Sequence, residues 1–496
     1  MLLAQAEPNA TALFLLVLGL LTGLSVLFSR QIDRLGIPVV LLFLVLGMLG
    51  GSEGIGGLAF DDHGLAVRIG TIYLVLILFD GGLNTSWPAV RRVIVPAGVL
   101  ATLGVALTAG LLALFARTLG LSWTEALLLG AVASSTDAAA VLAVLRGGRL
   151  KLQPRVGDTL EVESCVNDPM AVILTLIMIS VAKAPDALRW TVGLGVPLQL
   201  AVGAGVGILL GSGGLFVLRR VRPPTVGLYP ALTLAIAFLS FGVATLLDGS
   251  GLLSVYATAL VLGNSALPYR AGLARVHESL AWLSQIALFL MLGLLVFPSR
   301  LWPVAGMGLA TSLFLAAVAR PLAVWLCLWP LRFPAREISY IGWIGLRGAV
   351  PIILGAMPVL AEVPNAERVF NLVFFIVVIS SILPGATIRP VTRWLRLAVP
   401  DQPRPSAVLE INSAHPLNRE IASFCIEPEA AVCGAPLSAI GLSPDAAVML
   451  IVRDQQLVAA RGPTVLLPGD HVYVFFRQED RAYIELLFGN RESEAG

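Results

Sequence analysis

The sequence predicts an all-α polytopic membrane protein followed by a small α/β domain, and three observations support this fold class. Of the 496 residues, 57% are hydrophobic and only 13% are charged, and the mean hydropathy is +0.88. Apolar windows of about 20 residues, the length that crosses a bilayer as a helix, recur from residue 11 to about residue 394. From about residue 400 onward, short apolar runs alternate with turn signals, which is typical of a soluble domain.

Thirteen apolar windows lie between charged or Pro/Gly breaks. Because lipid offers no hydrogen-bond partner to an exposed backbone, we expect each window to form a helix. The windows cover residues 11–29, 37–52, 68–84, 89–116, 123–146, 156–183, 190–218, 226–247, 251–264, 279–297, 301–330, 337–358 and 367–388.

The distribution of basic residues tests this count. The loops after odd-numbered windows hold 18 Lys and Arg residues, whereas the loops after even-numbered windows hold 6. Basic residues favour the cytoplasmic side, so the N-terminus is predicted outside and the C-terminus in the cytoplasm. A count wrong by one window would have scrambled this asymmetry.

The C-terminal part is predicted to be separate from the membrane part. Residues 1–395 form the membrane domain, residues 396–405 a linker, and residues 406–490 a small cytosolic α/β domain. The segment AAVMLIVRDQQLVAARG predicts two strands joined by a turn at 453–456, and LLPGDHVYVFF predicts a turn followed by a strand.

Several function classes are disfavoured by missing motifs. The four cysteines are scattered and form no Cys-x-x-Cys or Cys/His cluster, so neither a disulfide framework nor a zinc site is expected. The sequence contains no G-x-x-x-x-G-K-[ST] phosphate loop, which argues against an ATP-driven pump. We expect no cofactor, no nucleic-acid partner and no enzymatic activity. The four histidines fall in predicted loops or in the tail, where surface positions are expected.

Polar groups near the midpoints of three windows are the strongest functional signal. Window five holds SSTD at 134–137, window six holds Asn167 and Asp168, and window twelve holds Arg347. An ionisable residue inside a bilayer is costly unless it is paired or hydrated, so each is a candidate functional residue.

Helical spacing sorts the acids of window six onto two faces. Ser164 and Asp168 are four residues apart and share one face, which favours an ion site. Glu163 and Asn167 share a face rotated by about 100° from the first, which favours bracing of a neighbouring helix. Arg347 is the predicted counter-ion of Glu163.

Prolines predict irregular backbone at the same depth. Pro169 has no N–H for the carbonyl of Cys165, so it should loosen the helix beside Asp168, and Pro351 acts likewise in window twelve. In window five, SSTD can replace backbone hydrogen bonds locally, so Asp137 is either a wall of the ion site or a cap at the break. Broken helices in corresponding places of two halves are typical of secondary transporters with inverted repeats.

These motifs resemble those of one known family. ESCVNDPMAV, GAVASSTDAAAV, ILFDGGLN and WIGLRGAVPIIL are similar to the motifs of NhaP-type monovalent cation:proton antiporters, most closely the bacterial potassium/proton branch, over about residues 10–395. The resemblance implies a homodimer in the cell (inner) membrane. It also implies an NhaA-like inverted-repeat fold, with a dimerisation domain and a core whose crossed, interrupted helices are windows five and twelve.

The resemblance also implies residue roles. Asp168 matches the carboxylate that binds a monovalent cation or a proton, and Asn167 is the other half of the Asn-Asp pair. Ser164 and the backbone near Thr136 match further cation ligands, and Asp137 is grouped with them.

Four further positions follow from the resemblance. Glu163 and Arg347 match the structural ion pair of the family. Asp80 matches an acid at the cytoplasmic approach, although a plain helix-end role stays open. Pro169 departs from the family, which often has Gly there. The tail resembles the C-terminal domain of RCK/TrkA regulators and could bind a small-molecule ligand.

The predicted function is electroneutral exchange of K⁺, or of Na⁺, for H⁺ by competition at Asp168, which would serve cytoplasmic ion, pH and volume homeostasis. The sequence leaves K⁺ and Na⁺ open, because both are hard cations met by the same oxygens. The alternative is a cation channel gated by the cytosolic domain, although no TVGYG-like filter is present.

Overall fold

The computed structural model describes most of the chain and divides it into two compact units. The described residues are 12, 15–16, 18–29, 31, 38–58, 60–147, 150–184, 190–221, 223–399, 419–454 and 456–489. The membrane unit lies within residues 1–265 and 276–399, and the second unit lies within residues 266–275 and 400–496. The predicted linker, residues 396–405, is described only as far as residue 399. In the part of window one before residue 18, residues 12, 15 and 16 are described.

The membrane unit is helical. Its helices, in chain order, are α1 Leu18–Ser29, α2 Val39–Gly50, α3 His63–Asn84, α4 Trp87–Thr118, α5 Trp123–Val132, α6 Ala138–Gly147, α7 Pro154–Lys183, α8 Trp190–Arg220, α9 Leu228–Leu246, α10 Gly251–Gly263, α11 Arg270–Leu294, α12 Pro298–Leu328, α13 Ala335–Trp343, α14 Val350–Leu360 and α15 Ala366–Trp394. A two-residue strand, β1 Lys151–Leu152, pairs antiparallel with β2 Ala398–Val399.

Eight helices within the described ranges are long and apolar enough to cross a membrane: α3, α4, α7, α8, α9, α11, α12 and α15. Five shorter apolar helices, α1, α2, α5, α10 and α14, accompany them. Windows 123–146 and 337–358 each contain two short helices separated by irregular backbone, as the polar and proline signals predicted. The total of thirteen spans stays a prediction.

The helix pattern repeats along the chain. The helices α5, α6 and α7 begin 212 residues before α13, α14 and α15, respectively. The preceding helix of each set, α4 and α12, contains a five-residue π-helical turn, at Leu100–Gly104 and Leu315–Ala319. Such turns insert one residue into an α-helix and are frequent near functional sites. The order of elements is therefore the same in both halves.

Helices α8 and α10 pack with their backbones in close approach. Gly203, Gly207 and Gly211 recur every four residues along α8, and Cβ atoms at the first two would lie 2.5 and 2.4 Å from carbonyl oxygens of Ser250 and Ser254. Small residues at this spacing let membrane helices pack closely. The interface also contains hydrogen-bonded hydroxyls.

We expect Gly207→Ala to destabilise the protein by about 1–3 kcal/mol, because the added methyl group would force α8 and α10 apart. Gly205→Ala on the same helix is the matched control, since a Cβ there meets nothing within 4 Å. The control should unfold at the same temperature as the wild type or higher, because Ala favours helix. Thermal unfolding in detergent, followed by circular dichroism, measures both. Equal unfolding temperatures for the two variants would contradict the close packing.

His277 lies elsewhere than predicted. It was expected in a surface loop, but it lies within α11 and only 1% of its surface is exposed. Its Nε2 lies 2.8 Å from Thr233 Oγ1, and its ring lies against Phe79 with 4.9 Å between ring centroids. Hydropathy placed the window start at residue 279, whereas α11 begins earlier with an amphipathic turn that hydropathy does not detect.

The second unit contains a four-stranded antiparallel sheet. Its strands are β3 Arg419–Cys425, β4 Ala447–Arg453, β5 Gln456–Val458 and β6 His471–Arg477, in the order β3-β6-β4-β5, and they are followed by α16 Arg481–Phe488. The hairpin predicted from the sequence is confirmed by the pairing of β4 with β5. Phe424, Val474, Ile484 and Phe488 form part of its apolar core.

Candidate functional site

Two interrupted helices meet at the centre of the candidate site. Residues 133–137 separate α5 from α6, and residues 344–349 separate α13 from α14. The backbone N–H of Asp137 donates to the carbonyl of Leu346 at 2.9 Å, which joins the two breaks directly. A Cβ at Gly348 would lie 2.3 Å from Asp137 Oδ2. Glycine at 348 is therefore required for this contact.

Helix α7 supplies hydrogen bonds to the first break. Ser164 Oγ donates to the carbonyl of Thr136 at 2.8 Å and accepts from the backbone N–H of Ala138 at 3.1 Å. Asn167 Nδ2 donates to Thr136 Oγ1. Because the ends of interrupted helices leave backbone groups without helical partners, these side chains stabilise the break. Ser164, Asn167 and Thr136 are thus brought together, as predicted.

Asp137 caps the second half of the first broken helix. Its Oδ1 accepts from the backbone N–H of Ala140 at 3.0 Å, which is the geometry of an N-terminal cap on α6. Of the two roles left open for Asp137, the cap is the one with an observed hydrogen bond.

Asp168 lies beside the same break. Only 8% of its surface is exposed, and its Oδ1 accepts a hydrogen bond of 2.5 Å from Ser135 Oγ. Ser135 was not among the predicted ligands, although its place next to Thr136 in SSTD was the available signal. A carboxylate among hydroxyl, amide and carbonyl oxygens is a set of hard donors, which suits a proton or a hard cation.

Pro169 does not interrupt its helix. Helix α7 is continuous from Pro154 to Lys183, with Pro169 inside it. The expected loosening therefore takes a limited form: the missing N–H removes one backbone donor toward Cys165, and neighbouring helical bonds preserve the helix. The irregular backbone beside Asp168 belongs to the facing break, residues 133–137, and not to α7 itself.

Glu163 makes its salt bridge with Arg320, where the sequence predicted Arg347. Glu163 Oε1 accepts a hydrogen bond of 2.6 Å from Arg320 Nη2, and both side chains are almost fully buried. Arg320 directly follows the π-helical turn of α12. An inserted residue rotates the following side chains by about 100°, so a helical face read at regular spacing does not continue past it. A second arginine inside a window was the one sequence signal for this partner.

Arg347 lies in the second break and makes hydrogen bonds to that break and to α15. Its backbone N–H donates to Ser380 Oγ at 3.2 Å, and its Nη1 donates to the carbonyl of Gly345 at 3.2 Å. Arg347 and Ser380 lie 212 residues after Ser135 and Asp168, the same offset that relates the two sets of helices. Equivalent positions therefore make contact in both halves, but only the first half places a carboxylate there.

The remaining predicted acid lies near the end of α3. Asp80 is half-buried, and its Oδ1 accepts from Asn84 Nδ2 at 3.2 Å. The residue that ends this helix, Thr85, donates through Oγ1 to Glu161 of α7 at 2.7 Å. Glu161 and Asp168 are seven residues apart and share one face of α7. The end of α3 thus contacts the helix that carries Asp168, two turns before it.

A comparison with protein families shows to which family this chain belongs. The profile of the family described as "Sodium/hydrogen exchanger, transmembrane" matches residues 13–394, which contain both breaks and α7. The chain belongs to this sodium/hydrogen exchanger family. The family consists of transporters, so the membrane unit is a multi-pass cation/proton antiporter domain and not an enzyme.

Two proteins named K⁺/H⁺ antiporters are similar over nearly the whole chain. The K⁺/H⁺ antiporter NhaP of Alkalimonas amylolytica is 40% identical over 488 residues, covering 98% of this chain and 85% of that protein. The K⁺/H⁺ antiporter NhaP2 of Shewanella oneidensis is 38% identical, covering 96% of this chain and 83% of that protein.

A solved exchanger has the same fold. The structure of the sodium proton antiporter MjNhaP1 from Methanocaldococcus jannaschii at pH 8 superposes with a TM-score of 0.66. The alignment covers 77% of this chain and 99% of that one, at 24% sequence identity. At this identity the similarity concerns the fold of the exchanger.

Proposed function

We propose that this exchanger trades K⁺ for H⁺, with Na⁺ as the second candidate, by competition of both ions for the Asp168 carboxylate. The observation that carries the proposal is the position of that carboxylate: it is almost fully buried and faces the first break. The oxygens of Asn167, Ser164 and Thr136 surround the same break. If the site opens to the other side of the membrane only when it holds a proton or a cation, competition for Asp168 alone couples the movement of the two ions.

The buried charges support one-for-one exchange. Glu163 is paired with Arg320, whereas the hydrogen bond to the buried Asp168 comes from the neutral Ser135, so ionised Asp168 leaves a charge of −1 without an ion pair among the described residues. One proton or one monovalent cation neutralises it. Since an uncompensated charge in a low-dielectric interior is costly, both loaded forms are favoured over the empty one. Equal charge in the two loaded forms makes the exchange electroneutral.

The repeated helix pattern supports an inverted repeat. The two sets of helices, α4–α7 and α12–α15, have the same order, nearly the same spacing and a π-helical turn in the first helix of each. In the thirteen-span topology they begin at windows four and eleven, an odd number of crossings apart, so they enter the membrane from opposite sides. Inverted repeats around a midplane site are the architecture of alternating access.

The relatives support K⁺ as the cation. The proteins named K⁺/H⁺ antiporters are 38–40% identical to this chain. We propose the same exchange here, in a homodimer of the inner membrane with the N-terminus outside and the C-terminus in the cytoplasm. Asp80 would contribute to the cytoplasmic approach. The C-terminal unit would act as an RCK-type regulatory domain for a small-molecule ligand.

The proposal predicts cation-driven proton movement. Inverted membrane vesicles that contain the protein are acidified inside and then given K⁺, Na⁺, Li⁺ or choline at several pH values. We expect K⁺ to release protons with saturable kinetics and choline to release none, because choline cannot enter a site of oxygen ligands. A pH-sensitive dye reports the release. Collapsing the membrane potential should leave the rate unchanged, since the exchange is electroneutral.

The alternative class has a distinct outcome. Cation flux that is passive, independent of pH and accompanied by current would favour a channel and contradict exchange. Release by Na⁺ but not by K⁺ would retain the antiport mechanism and overturn the choice of K⁺.

A further inference from the structure

Ser135 contacts Asp168 but has no role in the exchange proposed above. Its side chain is 99% buried, and its hydroxyl donates to Asp168 Oδ1 at 2.5 Å. Within the described ranges, this is the one hydrogen bond that its Oγ makes. A hydroxyl carries one hydrogen and can accept at two further positions. The oxygen therefore keeps free acceptor capacity beside the carboxylate.

The other hydroxyls at the break are already engaged. Ser164 Oγ uses its hydrogen on the carbonyl of Thr136 and one acceptor position on the N–H of Ala138. Thr136 Oγ1 accepts from Asn167. These bonds connect α7 to the break, so releasing them would loosen the broken helix. Ser135 can turn its hydroxyl without breaking any bond except the one to Asp168.

The hydroxyl of Ser135 fits each state of Asp168 in turn. With Asp168 ionised, it can donate to the carboxylate across the 2.5 Å that separates Ser135 Oγ from Asp168 Oδ1. With Asp168 protonated, the acid O–H can donate to Ser135 Oγ. With a cation on the carboxylate, the hydroxyl hydrogen would face a positive charge, so rotation about the C–O bond must turn the oxygen toward the ion. A cation stripped of water needs such oxygens to replace its hydration shell.

We infer that Ser135 Oγ is a further ligand of the transported cation and changes from donor to ligand when the cation replaces the proton. This inference rests on the proposed function, because it names an additional oxygen in the same site.

The test compares the apparent KM and the maximal rate for K⁺ at one fixed pH in reconstituted liposomes. Ser135→Ala removes the oxygen, so we expect KM to rise about tenfold, the effect of ~1.4 kcal/mol, with a maximal rate within about twofold of the wild type. Ser135→Thr keeps the oxygen and should retain the wild-type KM. Ser134→Ala is the matched control: Ser134 is equally buried, but its hydroxyl donates to the carbonyl of Ala131 at 2.6 Å.

Each other outcome overturns the inference. An unchanged KM in Ser135→Ala would show that the hydroxyl does not bind the cation. A lower KM would show that the hydroxyl only competes with the cation for Asp168. If Ser135→Ala fails to insert, Ser135→Thr and Ser135→Val make the same comparison. These two variants are isosteric, because threonine has a hydroxyl where valine has a methyl group. A wild type without exchange contradicts the proposed function instead. Binding of radioactive Rb⁺ to purified wild type and Ser135→Ala then tests the ligand separately.

Discussion

Replacing Asp168 with asparagine is expected to abolish cation-driven proton release, by at least about a hundredfold, while the protein still inserts into the membrane. Asparagine has nearly the same shape, but it neither ionises nor carries an exchangeable proton. The site would lose the uncompensated negative charge of Asp168, so neither ion would be needed to neutralise it. The measurement is proton release from inverted vesicles on addition of K⁺, with the amount of inserted protein determined by immunoblot.

Asp158→Asn is the control for this prediction. Asp158 lies on the same helix, but it is near the N-terminal end of α7 and pairs with the largely exposed Arg92 at 3.0 Å. Exposed pairs of this kind contribute about 0–1 kcal/mol. Exchange by Asp158→Asn should stay close to the wild-type rate. Undiminished exchange by Asp168→Asn would refute the assignment of the carboxylate, whereas equal loss in both variants would point to a general effect of charge.

Breaking the pair between Glu163 and Arg320 is expected to have the largest effect on stability. Arg320 is 98% buried, and in Glu163→Gln its guanidinium would lose the charged partner that it has among the described residues. Removing one member of a buried pair costs about 3–5 kcal/mol, because the other charge is left uncompensated. We expect the temperature of unfolding in detergent to fall sharply in Glu163→Gln and equally in Arg320→Met.

A double-mutant cycle identifies the partner of Glu163. The variant carrying both Glu163→Gln and Arg320→Met leaves no unpaired member of this pair, so it should recover much of the lost stability. Combining Glu163→Gln with Arg347→Met should recover less, since the guanidinium of Arg347 donates to the carbonyl of Gly345 instead. Denaturant unfolding followed by tryptophan fluorescence measures the cycle. A larger coupling with Arg347 would restore the pairing that the sequence predicted.

The sequence predicted the parts of the site that depend on local chemistry. Apolar length indicates helices, SSTD and Pro351 indicate where two of them are interrupted, and spacing of four residues places Ser164 beside Asp168. The structure also places Ser164 and Asn167 beside Thr136 at the first break, a contact between helices that the resemblance to the exchanger motifs implied and local spacing did not. The hairpin formed by β4 and β5 followed from its turn residues.

Contacts between distant helices were decided by the tertiary structure. The choice between Arg320 and Arg347 as partner of Glu163 depends on a π-helical turn, and such a turn forms through packing with no signature in the residues. The donor to Asp168 depends on which atoms of residues 133–137 face α7. Burial of His277 depends on the start of α11. The sequence by itself determined the helical membrane class, the interrupted helices and the buried carboxylate, because hydropathy and backbone chemistry are local. Pairing between side chains of different helices is not local, so only the tertiary structure decided it.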